Sequence, residues 1–233
     1  MPDPASLLAA VRRRDPAGPL FTFYDDATGE RTELSATTIA NWVAKTANLL
    51  RDDCEVEVGE EVAVLLSAHW QTAVVLLALW SIGARPSADI GDGLVVADEP
   101  ALPQLRPGRV LGLSLRPMNG RLVDAPAGVV DYAAEVLAAG DVLVGAQPSG
   151  AGETAEAVAR AAELGLVAGD RVLVAGAAGL ADAADWLLAP LSAGASVVLC
   201  RHADPAALPA RAVQERVTAT LGCTIDGVRH LTG

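Results

Sequence analysis

Apolar residues recur at helix or strand spacing along most of the chain, and the pattern predicts alternating elements. Residues 35–51 carry their apolar side chains on one face at a 3.6-residue spacing, which predicts an amphipathic helix capped by Ser35. Residues 62–66 form a short apolar run that is typical of a buried strand. Residues 70–82 are apolar nearly all round, which predicts a helix enclosed between layers.

The same alternation continues to the end of the chain. Further strands are predicted at residues 94–97, 110–113, 142–145, 171–175, 195–199 and 217–221, and further helices at 131–139, 153–164, 181–192 and 205–216. Strands that alternate with helices imply parallel strands joined by right-handed crossovers. The predicted fold class is therefore α/β, with mostly parallel sheets flanked by helices.

Two lobes are expected within one compact unit. Residues 1–120 form the first α/β lobe and residues 121–233 the second, with the Pro- and Gly-containing stretch 118–128 as a flexible joint. A cluster of arginines, Arg12 to Arg14, lies near the N-terminus. Chain ends are often poorly ordered, so we expect a mobile, solvated segment there.

Composition narrows the classes of function. Of the 233 residues, 52% are hydrophobic and 3% aromatic, which suits closely packed α/β layers. A net charge of −12 argues against nucleic acid, because phosphate backbones attract clustered Lys and Arg. Three widely spaced cysteines suggest reduced thiols. The longest apolar run is far shorter than the ~20 residues of a membrane span, so we expect a cytoplasmic protein without one.

One stretch has the pattern of an anion site. The sequence P-S-G-A-G-E at residues 148–153 lies between the predicted strand 142–145 and the predicted helix 153–164. A small-residue turn between a strand and a helix brings free backbone N–H groups together at the helix N-terminus. The candidate nucleotide-binding residues are Ser149, Gly150, Ala151 and Gly152.

A second stretch, V-L-V-A-G-A-A-G at residues 172–179, follows a predicted strand and opens a predicted helix, as dinucleotide-binding loops do. Gly176 and Gly179 would form this alternative loop, and Arg201 at the end of the next strand would meet the 2′-phosphate of NADP. Asp182 stands where such loops carry their last glycine, and its charge would repel a pyrophosphate.

The remaining polar residues predict no catalytic group and no metal site. The three histidines lack metal-ligand spacing, and His69 is interpreted as a capping or loop residue. Asp98 belongs to an acidic run that we interpret as a solvated loop. The four tryptophans fall on predicted helices and are expected to pack in the core.

Several blocks follow one another in a recognisable order: R-T-E-L-S at 31–35, V-G-E-E-V-A-V-L-L at 58–66, the segment 69–86, L-G-L-V-A-G-D-R-V-L-V at 164–174 and L-L-A-P-L-S-A-G-A-S-V-V-L at 187–199. Together they resemble the N-terminal region of the adenylate-forming (AMP-binding, acyl-CoA synthetase-like) enzymes. The resemblance implies the fold of the N-terminal portion of the large domain of acyl-CoA synthetases.

The chain departs from that family at its phosphate loop, T-S-G-T-T-G-x-P-K-G-V. It retains the serine and the next glycine, but Ala151 and Gly152 replace the threonines and Glu156 replaces the lysine. The resemblance also implies that the adenine, ribose and catalytic-lysine segments would follow residue 233. The one lysine of this chain is Lys45. We therefore expect a truncated member with a degenerate loop that does not catalyse adenylation.

Three hypotheses of function follow. The first is a non-catalytic binding or interaction protein, with a small-molecule ligand, a homodimer or another protein partner. The second is a component of an ATP-dependent acyl-CoA ligase that another chain completes, with ATP or AMP and Mg²⁺ at the loop. The third is an NADP-binding Rossmann-type protein.

Overall fold

The computed structural model of the chain describes residues 2–105, 108–177 and 179–232. The strands are β1 (Pro19–Asp25), β2 (Glu30–Ser35), β3 (Glu61–Leu65), β4 (Arg85–Ser87), β5 (Val95–Asp98), β6 (Val110–Leu113), β7 (Val129–Asp131), β8 (Arg171–Ala175), β9 (Ser196–Arg201), β10 (Ala219–Leu221) and β11 (Arg229–His230). The helices are α1 (Pro4–Arg14), α2 (Ala36–Asn48), α3 (Trp70–Ser81), α4 (Tyr132–Glu135), α5 (Ala151–Glu163), α6 (Ala189–Ala193) and α7 (Leu208–Gln214).

The strands form two sheets. One has five strands in the order β4-β3-β5-β6-β7, and the other has six in the order β11-β10-β8-β9-β1-β2. Among the described residues every pair of neighbouring strands is parallel except β1 with β2. The predicted α/β class with mostly parallel sheets and flanking helices is confirmed.

The hairpin of β1 and β2 is the main feature that the hydrophobic pattern did not predict. Its turn contains Gly29 at φ +75°, a left-handed conformation that glycine adopts without strain. The hairpin lies beside β9, with Phe21 opposite Val197 in the ladder. Strands β1 and β2 therefore lie in the same sheet as β8 to β11, although they precede the five-stranded sheet in the sequence. The two sheets are thus not divided at residue 120. The division into two lobes stays a prediction.

The buried helix α3 joins the two sheets. All twelve of its residues are buried, and it contacts α1, α2, β1 and β4. One hydrophobic cluster contains α3 together with Phe23 of β1 and Val64 of β3. His69 caps the helix, because its Nδ1 accepts a hydrogen bond from the backbone N–H of Gln71 at 3.1 Å. The predicted enclosed helix and the capping role of His69 are both confirmed.

The other long helix, α2, begins as predicted. The Ser35 Oγ accepts a hydrogen bond from the backbone N–H of Thr38 at 3.1 Å. The regular helix ends at Asn48 and continues as one π-helical turn, Leu49–Asp53. In the second half, the predicted helix at 181–192 is instead a π-helical turn, Ala184–Leu188, followed by α6.

The N-terminal segment forms α1 and packs on the core, which differs from the expected mobile end, whereas Arg12 to Arg14 are exposed to solvent as expected. Asp3 caps α1 by accepting a hydrogen bond from the backbone N–H of Ser6 at 2.9 Å. Leu8 is buried in the main hydrophobic cluster, and Arg14 donates a hydrogen bond to the Gly194 carbonyl at 3.0 Å. Burial of its apolar face against the core therefore stabilises this helix. None of the described helices combines the length and apolar character required to cross a membrane.

Candidate functional site

The Ser149–Gly152 turn is attached to the end of α3. The backbone N–H of Ser149 donates a hydrogen bond to the Trp80 carbonyl at 2.8 Å, and its hydroxyl donates to the Ala84 carbonyl at 2.7 Å. Ala84 immediately precedes β4, so the turn lies beside the amino end of that strand. The donors of Ser149 are thus engaged within the protein.

Gly150 caps α5 in a left-handed conformation, with φ +85°. A Cβ at this position would lie 2.8 Å from Cδ1 of Trp80 and 2.9 Å from Cδ of Pro4. Close packing against the two side chains explains the glycine without a ligand. Gly152, in contrast, has open space around it, and Glu153 and Glu156 are both exposed on the first turns of the helix.

The strand predicted at residues 142–145 does not form. Val142 is 69% exposed and Val144 is 75% exposed. Asn48 donates hydrogen bonds to the carbonyls of Gly140 and Val142, and Arg51 donates to the carbonyl of Val144. These carbonyls are therefore satisfied by side chains at the end of α2 rather than by a neighbouring strand. The predicted strand–turn–helix arrangement was wrong.

A cavity of about 630 Å³ lies elsewhere, at the carboxyl ends of strands from both sheets. Ends of β3 and β5 meet ends of β8 and β9 there, which is the usual position of ligand sites in parallel α/β sheets. None of residues 149–152 lines this cavity. Its lining residues are Val64, Leu65, Leu66, Ser67, Ala68, Ala88, Asp98, Gly176, Ala177, Leu180, Ala181, Cys200, Arg201 and His202.

Asp98 provides a carboxylate to the five-stranded side of the cavity. It is 7% exposed, so the expectation of a solvated loop was wrong for this residue. One of its oxygens, Oδ2, accepts hydrogen bonds from the backbone N–H and the hydroxyl of Ser67, at 3.2 and 2.8 Å. The residue ends β5, and this pairing fixes its side chain against the end of β3.

Arg201 and His202 line the opposite side, and both approach the buried carboxylate of Asp25. The His202 Nδ1 lies 2.8 Å from Oδ1 of Asp25, and the Arg201 Nε lies 3.9 Å from Oδ2. His202 has φ +47°, a conformation uncommon for residues other than glycine. Such strain is often found at functional sites.

The two glycines of the alternative dinucleotide loop differ in their surroundings. Gly176 lines the cavity together with Arg201, and a Cβ added to it would meet nothing within 4 Å. Gly179 packs so tightly that a Cβ would lie 2.1 Å from the carbonyl oxygen of Leu66. The structure therefore brings Gly176 and Arg201 to one cavity, whereas backbone packing explains Gly179.

The thiol that lines the cavity is not activated. Burial raises the pKa of Cys200 to about 11, so the group is a neutral thiol near pH 7. Across the described ranges, no three or more His, Cys, Asp or Glu side chains form a group that could hold a metal ion.

A second polar pair lies buried beside this region. His69 Nε2 is 3.8 Å from Oε2 of Glu30, and both side chains are almost inaccessible to solvent. Burial lowers the pKa of His69, although the nearby Glu30 partly opposes that shift. Burial would raise the pKa of Glu30, but His69 and a hydrogen bond from Thr32 hold it below its usual value. The folded protein therefore keeps a neutral imidazole beside an ionised carboxylate.

This pair predicts that acid destabilises the fold from about pH 6.5 downward. The unfolded chain takes up a proton on His69 near pH 6.5, whereas the folded chain resists it, so the free energy of unfolding falls as pH decreases. One such group contributes a slope of up to about 1.4 kcal/mol per pH unit. Below pH 4.5, Glu30 adds a loss of the same sign. Urea unfolding between pH 7.5 and 5 measures the slope.

A matched pair of variants identifies the source of that slope. In His69→Asn the amide oxygen still caps α3, so the slope between pH 7 and 5 should become shallower. The exposed His230 serves as the control, and His230→Gln should keep the wild-type slope. Equal slopes in all three proteins would show that His69 is not the responsible group.

Sequence reasoning missed several residues of the cavity and its support. Ser67, Asp98, Asp25 and His202 were not candidates, although each ends a strand or follows one closely. That position was the available signal, because carboxyl ends of parallel strands gather at one edge of a sheet. The signal could not show which strands belong to which sheet.

Comparison with known proteins gives one close relative and many structural neighbours. No family profile matches the chain. A protein of Mycobacterium tuberculosis (strain ATCC 25618 / H37Rv), described as a TIGR03089 family protein, is 44% identical over 234 residues, which cover 93% of this chain and 96% of that protein.

Solved structures of acyl-CoA synthetases share the fold at low sequence identity. The Brucella canis acyl-CoA synthetase superposes with a TM-score of 0.74 at 19% identity, over 95% of this chain and 47% of that one. The acetoacetyl-CoA synthetase from Streptomyces lividans gives 0.70 at 18% identity, over 94% and 42%. The chain thus spans about half the length of these synthetases, and its fold matches the N-terminal part of their large domain.

Proposed function

We propose that this chain, which belongs to the TIGR03089 family, is an acyl-CoA synthetase-like binding protein that does not adenylate. It matches the family's member in Mycobacterium tuberculosis over nearly its full length. Its ligand site is the cavity at the carboxyl ends of β3, β5, β8 and β9. The Ser149–Gly152 turn serves as a structural cap of α5 rather than as a phosphate loop.

The observation that carries this proposal is the engagement of Ser149. The backbone N–H and the hydroxyl of Ser149 both donate to carbonyls of the protein, so neither is available to a phosphate. The only lysine, Lys45, donates to the carbonyls of Leu137 and Ala139 on another surface.

Charge beside the turn supports the same conclusion. Glu153 and Glu156 are exposed on the first turns of α5. Phosphoryl and adenylyl transfer require cations against the developing negative charge, whereas these carboxylates would repel a triphosphate. The cavity, in contrast, holds an arginine and lies at the usual edge of the sheets for a ligand.

Nucleotide titration tests this function directly. We expect no saturable heat with Mg-ATP or AMP up to millimolar concentration, and no carboxylate-dependent exchange of pyrophosphate into ATP. If ATP binds and Gly152→Val abolishes that binding, the turn is a working phosphate loop and the proposal is overturned. Gly152 is the informative position because it has open space, whereas a side chain at Gly150 would collide with Trp80 and Pro4.

Exchange that appears only when a second chain is present would favour the alternative of a ligase completed by another chain. A homodimer or another protein partner likewise stays part of the proposal. Light scattering of the purified protein, with mass analysis of anything that co-purifies, measures both.

A second candidate function is NADP binding. It is favoured by one observation, that Gly176 and Arg201 line the same cavity. It predicts NADPH binding that Arg201→Gln weakens at least tenfold, since an arginine–phosphate pair is charge-assisted. A Gly179 variant would not test this function, because a side chain there would collide with Leu66 and could unfold the protein. The Arg201 variant is therefore the informative one.

A further inference from the structure

Arg201 carries hydrogen-bonding capacity that the described protein does not use. Its ion pair with Asp25 spans 3.9 Å, which is too long for a hydrogen bond. Arg201 lines the cavity, and its guanidinium makes no hydrogen bond to any residue in the described ranges. A planar guanidinium with free N–H groups matches the two oxygens of a carboxylate or phosphate.

Asp98 lines the cavity from the other sheet, and it too has unused hydrogen-bonding capacity, as an acceptor. Its Oδ2 is occupied by Ser67, whereas Oδ1 accepts no hydrogen bond from the residues that the structure describes. A carboxylate oxygen at the wall of a cavity can accept a hydrogen bond from a ligand or from water. This side of the cavity therefore suits a ligand that carries hydrogen-bond donors.

His202 adds a second hydrogen-bonding group beside Arg201. Its Nδ1 lies 2.8 Å from Oδ1 of Asp25, which leaves Nε2 for a hydrogen bond to a ligand. No described residue makes a hydrogen bond with Nε2.

From these three groups, and resting on the binding function proposed above, we propose the chemical class of the ligand. It is a small molecule with an oxyanion, carboxylate or phosphate, and hydroxyl groups next to it. The oxyanion binds Arg201, one hydroxyl donates to Oδ1 of Asp98, and another, which can donate or accept, makes a hydrogen bond with Nε2 of His202. Hydroxyls fit better than an ammonium group, because a second cation would have to leave water beside Arg201. A cavity of about 630 Å³ has the size usual for such ligands.

Calorimetry with four simple probes tests each part of the assignment. Glycerol 3-phosphate and glycerate combine an oxyanion with hydroxyls, inorganic phosphate has only the oxyanion, and glycerol has only the hydroxyls. We expect the first two to bind at least tenfold more tightly than phosphate, and glycerol not to bind. Comparing glycerol 3-phosphate with glycerate shows which oxyanion the site prefers.

Variants separate the roles of the two charged residues. Arg201→Gln should weaken every oxyanion probe at least tenfold. Asp98→Asn should weaken glycerol 3-phosphate about tenfold and leave inorganic phosphate unchanged or bound more tightly. Arg13→Gln removes an exposed arginine far from the cavity and should change nothing. Circular dichroism of each variant checks folding, and if Asp98→Asn unfolds, His202→Phe tests the hydroxyl contacts instead.

The assignment is overturned if none of the probes binds at 20 mM or if Arg201→Gln binds them as the wild type does. O-phosphoethanolamine, which replaces the hydroxyls by an ammonium group, should bind more weakly than glycerol 3-phosphate, and tighter binding would overturn the hydroxyl assignment. These failures leave the non-adenylating function intact, since that depends on the separate titration with ATP.

Discussion

Replacing Gly179 with alanine should lower the free energy of unfolding by about 3 kcal/mol or more. A Cβ at this position would lie 2.1 Å from the carbonyl oxygen of Leu66, and backbone cannot move aside as the end of a side chain does. The left-handed φ of +76° adds roughly 1–2 kcal/mol for any residue with a Cβ. The Gly179 carbonyl also accepts a hydrogen bond from Nε1 of the buried Trp186 at 2.7 Å, which a backbone shift would break.

Gly176 provides the matched control. It has a similar φ of +80°, but a Cβ there would meet no atom within 4 Å. Gly176→Ala should therefore cost only the conformational part, about 1–2 kcal/mol. Urea unfolding at pH 7.5 measures both variants. Equal losses would mean that the contact with Leu66 is not responsible, and that conformation alone explains both glycines.

Glu215→Ala should destabilise the protein by roughly 3–5 kcal/mol, the usual effect of removing one partner from a buried ion pair. Glu215 is 4% exposed at its side chain and lies at the end of α7. Its Oε1 accepts hydrogen bonds from Tyr24 at 2.5 Å and Arg31 at 2.9 Å, and its Oε2 accepts from Arg171 at 2.7 Å.

The loss is large because Arg171 is itself nearly buried. Without Glu215, its nearest remaining carboxylate is Glu33 at 4.0 Å, so a positive charge stays in the six-stranded sheet without a close partner. Glu163→Ala, which removes an exposed carboxylate paired with Arg160, is the control and should change stability by less than about 0.5 kcal/mol. A loss below 1 kcal/mol in Glu215→Ala would show that solvent reaches Arg171 in its absence.

Hydrophobic periodicity predicted the elements that the core encloses. The helix at 70–82 and the strand at 110–113 were found within one residue of their bounds, because burial on all sides leaves a continuous apolar run. The strand at 142–145 was wrong although its sequence is equally apolar. A short apolar run indicates that a strand is possible, but pairing depends on a partner that lies elsewhere in the chain.

The hairpin shows the opposite failure. Residues 20–24 carry two phenylalanines and a tyrosine before a turn, which is a usable strand signal. Its position beside β9 could not be predicted, because local pattern does not specify pairing between distant strands.

Some residues of the candidate site could be identified from the sequence, and others could not. The sequence identified Gly176 and Arg201 as possible ligand residues, and the structure brings both to one cavity. It did not identify Asp98, which was assigned to a solvated loop, because burial of a single carboxylate depends on the contact between β5 and β3. Nor could it show that Ser149 donates to Ala84, a contact between residues far apart in the chain.

The β1–β2 hairpin also determines when this protein can finish folding during its synthesis. It is translated before the five-stranded sheet, and β9 emerges only after that whole sheet. At about 5–20 residues per second, the roughly 160 intervening residues take on the order of ten to thirty seconds to translate. Throughout that interval the edge of β1, with Phe21 and Phe23, lacks its parallel partner on the ribosome. Nascent chains of this protein therefore present an unpaired aromatic strand edge to chaperones and to one another.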